Sequence, residues 1–300
     1  MTTVLRQMAG KVRVATGAFR RPHLLSAPTA HARSRCSMVT RKVLIHSVVV
    51  SSVLFVTSTV CAAAPAHSAP SADLKSPLKV CTTGDYMPLT SRDKASGEYS
   101  GFDIDMAQSL SEHLGRKAEF VQTSWPTMMQ DLLTPEKCDI TMGGVSDTAD
   151  RRKKADLTAA YLVDGKAPVV RSGEESKYQT LDQIDRKDVR VIVNPGGTNE
   201  QLVKDRLRHA TVITWPDNVT IFDEIKKGHA DVMITDALEG KYQAKNHPGL
   251  TVVNPEKPFT RVEKVYMLPK GSPLTSQTNS WLTEMKKDGA FDALYAKWLK

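Results

Sequence analysis

From Leu78 onward, short apolar runs alternate with longer stretches in which apolar residues recur every third or fourth position, a rhythm that dictates βαβ units and parallel sheets. The first set reads as strand Leu78 to Cys81, helix Asp105 to Leu114, strand Ala118 to Val121, helix Trp125 to Leu133 and strand Asp139 to Met142. A second set reads as strand Val189 to Val193, helix Thr198 to about Leu207, strand Thr211 to Thr214, helix Asn218 to Lys227 and strand Asp231 to Thr235. Two further extended stretches, Tyr161 to Val170 and Val262 to Pro269, suit crossings between the two sets. The chain after Pro269 is amphipathic, with Trp281, Leu282, Met285 and Phe291 at helical spacing, and should pack back on the first set. The expected fold class is therefore α/β, with two parallel-rich sheets in two lobes joined by a two-crossing hinge. Lobe 1 takes residues 76–165 and 266–300, and lobe 2 takes residues 166–265.

The formal charge of +8 suggests a nucleic-acid binder only until it is divided along the chain. Residues 1–70 carry nine Lys/Arg and no Asp or Glu, leaving 32 basic against 33 acidic side chains in the rest. A nearly neutral body has no electrostatic footprint for nucleic acid. Within the leader, Arg41-Lys42 precede an uncharged run from Val43 to Ala64 and then a small-residue stretch, the layout of a cleaved signal peptide. We expect residues 1–68 to be the leader, with Met38 as the true start, residues 69–75 to be a flexible lead-in, and the mature protein to be periplasmic without stable membrane insertion. A permanent anchor is the competing reading of the apolar run.

Cys36 and Cys61 fall in the leader, so only Cys81 and Cys138 reach the mature chain. They are expected to be free thiols, because they stand at opposite ends of adjacent parallel strands, beyond the roughly 7 Å Cα separation a bridge tolerates. No CxxC, HExxH or Cys/His cluster is present, so no metal site is expected. Nor is there a GxSxG elbow or a phosphate loop, which leaves nucleophilic hydrolysis without its parts.

Open α/β sheets bind ligands beyond the carboxyl ends of their strands, so the residues just after each strand are the candidates. Gly143-Gly144, Ser146 and Arg151 could bring backbone N–H groups, a hydroxyl and a guanidinium to one carboxylate; the competing reading is a solvated basic run, Arg151 to Lys154. Thr198 and Gln201 have the spacing of a capping box after Gly196-Gly197, a place to hold an anion, or merely a cap with Glu200 answering the helix dipole. Tyr86 and Trp125 could flank a ring or be ordinary core. Asp236 could receive an ammonium or hydroxyl, or cap a turn.

Across residues 76–300 the chain resembles the periplasmic amino-acid-binding proteins of ABC importers, in Gly101-Phe102-Asp103, Ser146-x-Thr148-x-x-Arg151, Gly197-Thr198, Asp231 to Asp236 and Asp288-Gly289-Ala290-Phe291. That resemblance implies a two-lobed, type II binding-protein fold closing on a small molecule. Longer stretches are similar to the cyclohexadienyl dehydratase branch of that family: Val80 to Tyr86, Thr123 to Pro126, Tyr161 to Lys166, Val191 to Glu200, Pro216 to Phe222 and Thr235 to Glu239. The branch implies cofactor-independent loss of carbon dioxide and hydroxide from prephenate or arogenate, giving phenylpyruvate or phenylalanine. It implies Glu200 as the general acid and Arg151 on the substrate carboxylate, with Ser146, Gly144 and Thr198 assisting. Asp236 would face the amino group, Tyr86 and Trp125 the ring, and Asn199, Lys166 and Glu239 would join the substrate-binding set. The other function implied by the same family is non-catalytic amino-acid binding for an importer, which has no use for an acid.

Overall fold

The computed structural model describes residues 76–300; the expected leader and lead-in lie outside the described residues. Leu78–Thr82 is buried at every position except Lys79, as a strand covered on both faces must be. It pairs in parallel with Ala118–Gln122 on one side and Ile140–Thr141 on the other. Met267–Pro269 then joins antiparallel beside Ile140–Thr141, and Ala155–Leu157 closes the five-stranded sheet. In the second sheet Arg190–Val193 lies in parallel between Thr211–Thr214 and Val232–Asp236. Lys166–Arg171 adds antiparallel to Val232–Asp236, and Leu250–Val252 forms the edge. The two crossings pair with each other, Leu162–Asp164 against Val262–Lys264, as a two-stranded ribbon where the chain leaves the first sheet and returns.

Each sheet carries apolar clusters of its own. Helices Leu274–Lys287 and Ala290–Leu299 return to the first, placing Trp281, Leu282, Met285 and Phe291 in one cluster with Leu78, Val80, Phe102 and Leu110. Among the described residues no helix is long and apolar enough to cross a membrane.

Two local departures from the sequence expectations shape the site. The helix expected from Trp125 starts at Met128, because a residue before proline, here Trp125 ahead of Pro126, is disfavoured in helical geometry. The helix expected from Asn218 starts at Ile221, which leaves the Asn218 side chain outside it. The cysteine expectation fails outright: Cys81 and Cys138 form a disulfide, their Cα atoms 5.6 Å apart. The expected strand Asp139 to Met142 is only Ile140–Thr141. Cys138 therefore lies outside the ladder, in the lead-in from helix Met128–Leu133, and packs in the same apolar cluster as Cys81, Met128 and Leu132.

Candidate active site

The fully buried strand Val232–Asp236 ends by delivering the Asp236 carboxylate between the two sheets. Register places Lys166, the first residue of its antiparallel neighbour, directly opposite. Lys166 Nζ lies 2.9 Å from Asp236 Oδ1, and Lys264 Nζ, from the return crossing, lies 2.6 Å from Oδ2. Tyr86 donates its hydroxyl to the same carboxylate. Burial opposes the negative charge, but the two ammonium groups outweigh it and hold Asp236 well below the usual carboxylate range. Burial in turn pushes Lys166 down, with Asp236 opposing.

On the first-sheet side the loop after Ile140–Thr141 supplies Gly144, whose φ of +67° is a left-handed conformation that favours glycine. A side chain there would also collide with the Tyr86 ring. Asp103, completely buried, fixes this loop: its carboxylate accepts Gly144 N at 2.7 Å, Tyr161 OH at 2.7 Å and Tyr266 OH at 2.9 Å. Burial lifts its pKa to about 6 in spite of these bonds. Replacing Asp103 with Ala strands three buried donors, and we expect it to lower unfolding free energy by about 2–3 kcal/mol in urea titration; a loss under about 0.5 kcal/mol would remove Asp103 as the anchor of the loop.

Arg151 sits on the short helix Ala149–Lys154, where it is half-buried while Arg152, Lys153 and Lys154 are exposed. That contrast separates it from a solvated basic run. Its Nη1 donates to the Ser146 carbonyl at 2.7 Å, and the Ser146 hydroxyl lies 3.0 Å from Lys264 Nζ. Arg151 lines a groove of about 440 Å³ with Trp125, Gly197 and Thr198. The last three residues also line a deeper cavity together with Tyr86, Gly144, Lys166, Asn199 and Asp236. Tyr86 and Trp125 meet edge to face, ring centroids 5.5 Å apart, and Trp125 Nε1 donates to Asp85 at 3.1 Å.

Glu200 is in neither space. The expected capping box fails by one residue: the N-cap is Gly197, in extended geometry and without a side-chain cap, and Thr198 is the first helical residue. That shift makes Glu200 the third helical residue, from which its carboxylate accepts Gly196 N at 2.8 Å and pairs with Lys204 Nζ at 2.8 Å. Both contacts lower its pKa, the Lys204 bond first, and fit the carboxylate to the start of the helix.

Glu239 lines neither space directly either, but it differs from Glu200 in burial and in its link to the cavity wall. It is 1 % exposed, one turn along helix Ala237–Asn246 from Asp236. Thr235 Oγ1 donates to one oxygen, and Asn218 Nδ2, whose residue lines the cavity, donates to the other at 3.1 Å. Burial, with the Asp236 and Asp85 charges adding to it, raises its pKa to about 8 against the Thr235 hydrogen bond.

Sequence reasoning missed Lys264, Asp103, Asn194 and Asn218 as site residues. Lys264 had a signal, a charged residue immediately before Val265-Tyr266 in an extended crossing. Asn194 and Asn218 follow strands, as site residues do in such folds, yet carried no other mark.

The profile of the bacterial extracellular solute-binding proteins, family 3, matches residues 78–300. Cyclohexadienyl dehydratase from Pseudomonas aeruginosa is 44 % identical over 223 residues, covering 74 % of this chain and 82 % of that protein. The L-cystine-binding protein TcyJ of Escherichia coli is 30 % identical over the same shares. Among solved structures, an ancestral amino acid-binding protein described as a precursor of cyclohexadienyl dehydratase superposes with a TM-score of 0.69 at 39 % identity, covering 75 % of this chain and 96 % of that one. A putative ABC-transporter binding component from Wolinella succinogenes, complexed with lysine, reaches a TM-score of 0.70 at 25 % identity, covering 76 % and 96 %.

Proposed function

This chain belongs to the family 3 bacterial extracellular solute-binding proteins, and from that premise we propose that it is an exported cyclohexadienyl dehydratase, a carbon-oxygen lyase acting on prephenate and arogenate. The observation that carries the reading is Glu239, a buried carboxyl kept protonated to about pH 8 and hydrogen-bonded to Asn218, which lines the inter-lobe cavity. A protein that only binds needs no proton donor there; a dehydratase does.

The reaction asks for little else. The ring carbon–carboxylate bond breaks and its electron pair becomes a new ring double bond, releasing carbon dioxide. The ring carbon–oxygen bond breaks in turn, and the departing hydroxide takes the Glu239 proton and leaves as water. Aromatisation provides the driving force, so the residues need only orient the substrate, exclude water and deliver one proton, a step worth about 10²–10⁴-fold. Lys166, Lys264 and Arg151 supply positive charge for two substrate carboxylates, with Arg151 at the mouth. Tyr86 and Trp125 form the aromatic wall, Thr198 and Asn199 line the cavity beside them, and Gly144 keeps the opposite wall close.

The deeper cavity holds only about 10 Å³, room for at most a single water, so the lobes must part before a ring can enter. We assign that motion to the paired crossings, with residues 76–165 and 266–300 moving as one lobe and 166–265 as the other. The Cys81–Cys138 disulfide suits an oxidising compartment, which agrees with export through a cleaved leader to the periplasm. The test is direct: purified residues 69–300 incubated with prephenate should form phenylpyruvate. No product, with an amino acid bound instead, would transfer the protein to the binding reading.

A further inference from the structure

Asn218 stands between strand Thr211–Thr214 and helix Ile221–Lys226, and its side chain belongs to the cavity wall. It is 2 % exposed. Its Nδ2 donates twice, to the Asp85 carbonyl at 2.9 Å, which comes from the lobe that carries the first sheet, and to Glu239 Oε1 at 3.1 Å. A backbone carbonyl only accepts, so the amide turns its nitrogen toward Asp85, and the other end of the amide is the oxygen. That oxygen, Oδ1, is buried and has no hydrogen-bond partner among the described residues. An acceptor left bare in a protein interior is a standing cost, which a hydrogen donor arriving with a ligand removes. Asp236 Oδ1 is the other oxygen of the cavity lining in that condition, but it faces the Lys166 ammonium at 2.9 Å. Asn218 Oδ1 has no such cation and calls for a donor.

We propose that Asn218 is a substrate-positioning residue whose Oδ1 accepts the hydrogen of the ring hydroxyl that is to leave, turning a lone pair of that oxygen toward the proton of Glu239. The proposal rests on the dehydratase reading and names what orients the leaving group. Prephenate carries two carboxylates and a ketone, all acceptors at neutral pH, and its ring hydroxyl is its one hydrogen donor. The same amide that presents Oδ1 is bonded to Glu239 Oε1, so a hydroxyl resting on Oδ1 lies beside the acid. When the ring carbon–oxygen bond breaks, its electron pair stays with the oxygen, which takes the Glu239 proton and departs as water. Asn218 neither gains nor loses a proton. The Asp85 carbonyl fixes the amide only while the lobes meet, so the acceptor is aimed when the cavity is closed.

The experiment uses two probes in calorimetric titration of the full mature protein: prephenate with both ring double bonds reduced, which cannot aromatise, and the same compound without its ring hydroxyl. The wild type should bind the hydroxylated probe at least tenfold more tightly. Asn218→Ala should shrink that preference by at least fivefold, a difference of differences that isolates the contact. With prephenate itself, Asn218→Ala should lower kcat by tenfold or more and shift KM by less than threefold, because the groups that hold the carboxylates are untouched and only the aim of the leaving oxygen is lost. An asparagine that merely ties Asp85 to Glu239 would leave the preference for the hydroxyl intact, which would overturn the proposal. Equal affinity of the wild type for the two probes overturns it as well, whether or not the variant folds. A wild type that forms no phenylpyruvate defeats the dehydratase reading and this assignment with it, whereas normal turnover with equal affinities defeats the assignment alone.

Discussion

Glu239→Gln should cut turnover by about 10²-fold or more, roughly 3 kcal/mol of barrier, while leaving the cavity intact. Glutamine has the same length and can still meet Thr235 and Asn218, so the change removes the acidic proton and little else. The pH profile supplies the sign. Glu239 acts in its protonated form, so wild-type activity should hold below about pH 8 and fall as pH rises through that value, and any residual activity of the variant should lack the step. Stability follows the same direction. The folded pKa lies above the ordinary 4.5, so this carboxyl favours the folded state fully below pH 4.5 and loses that contribution as pH rises toward 8. Glu200→Gln is the contrast, because it leaves a side chain that caps less well and pairs less well with Lys204 but touches no cavity. It should change stability by at most about 1 kcal/mol and leave turnover nearly unchanged. Normal phenylpyruvate formation by Glu239→Gln together with collapse in Glu200→Gln would return the acid to position 200.

The exchange of those two glutamates shows what the residue pattern carries and what it does not. Alternating periodicity was enough to place two sheets, two crossings and a returning helical C-terminal stretch, because period and length are local properties of the chain. The rule that ligands gather beyond strand ends was enough to single out Tyr86, Gly144 and Asp236, since each directly follows or ends an apolar run. Which glutamate is buried and bonded to the cavity's lining depends on quantities with no local mark. A helix frame one residue earlier turns Glu200 back on Gly196, and the same run of strand and helix that ends in Asp236 carries Glu239 into full burial. Lys264 meets Gly144 and Ser146 from about 120 positions away and Asp236 from 28, a convergence that exists only after both sheets have formed. Arg151 was legible as a candidate, and its distinction from Arg152 to Lys154 became visible only as burial.

The cysteine pair is the other place where a short-range argument misjudged distance, and it leads to a large expected effect on stability. The bridge closes a loop of 57 residues, for which chain-entropy arguments give about 4 kcal/mol of stabilisation through the unfolded state. The double replacement Cys81→Ser, Cys138→Ser should therefore lower unfolding free energy by up to about 4 kcal/mol in urea titration, more than one buried hydrogen bond is worth. The loop enclosed by the bridge contains Tyr86, Asp103 and Trp125, and its far end leads within two residues into Ile140–Thr141 and then to Gly143-Gly144. Loosening it in the unfolded chain thus raises the cost of assembling the whole first-sheet wall of the site. The chemical test comes first: unfolded protein without reductant should resist maleimide, and both sulfurs should label after reduction. Full labelling without reductant, with the serine pair as stable as the wild type, would restore the free thiols and place Cys138 back on the strand.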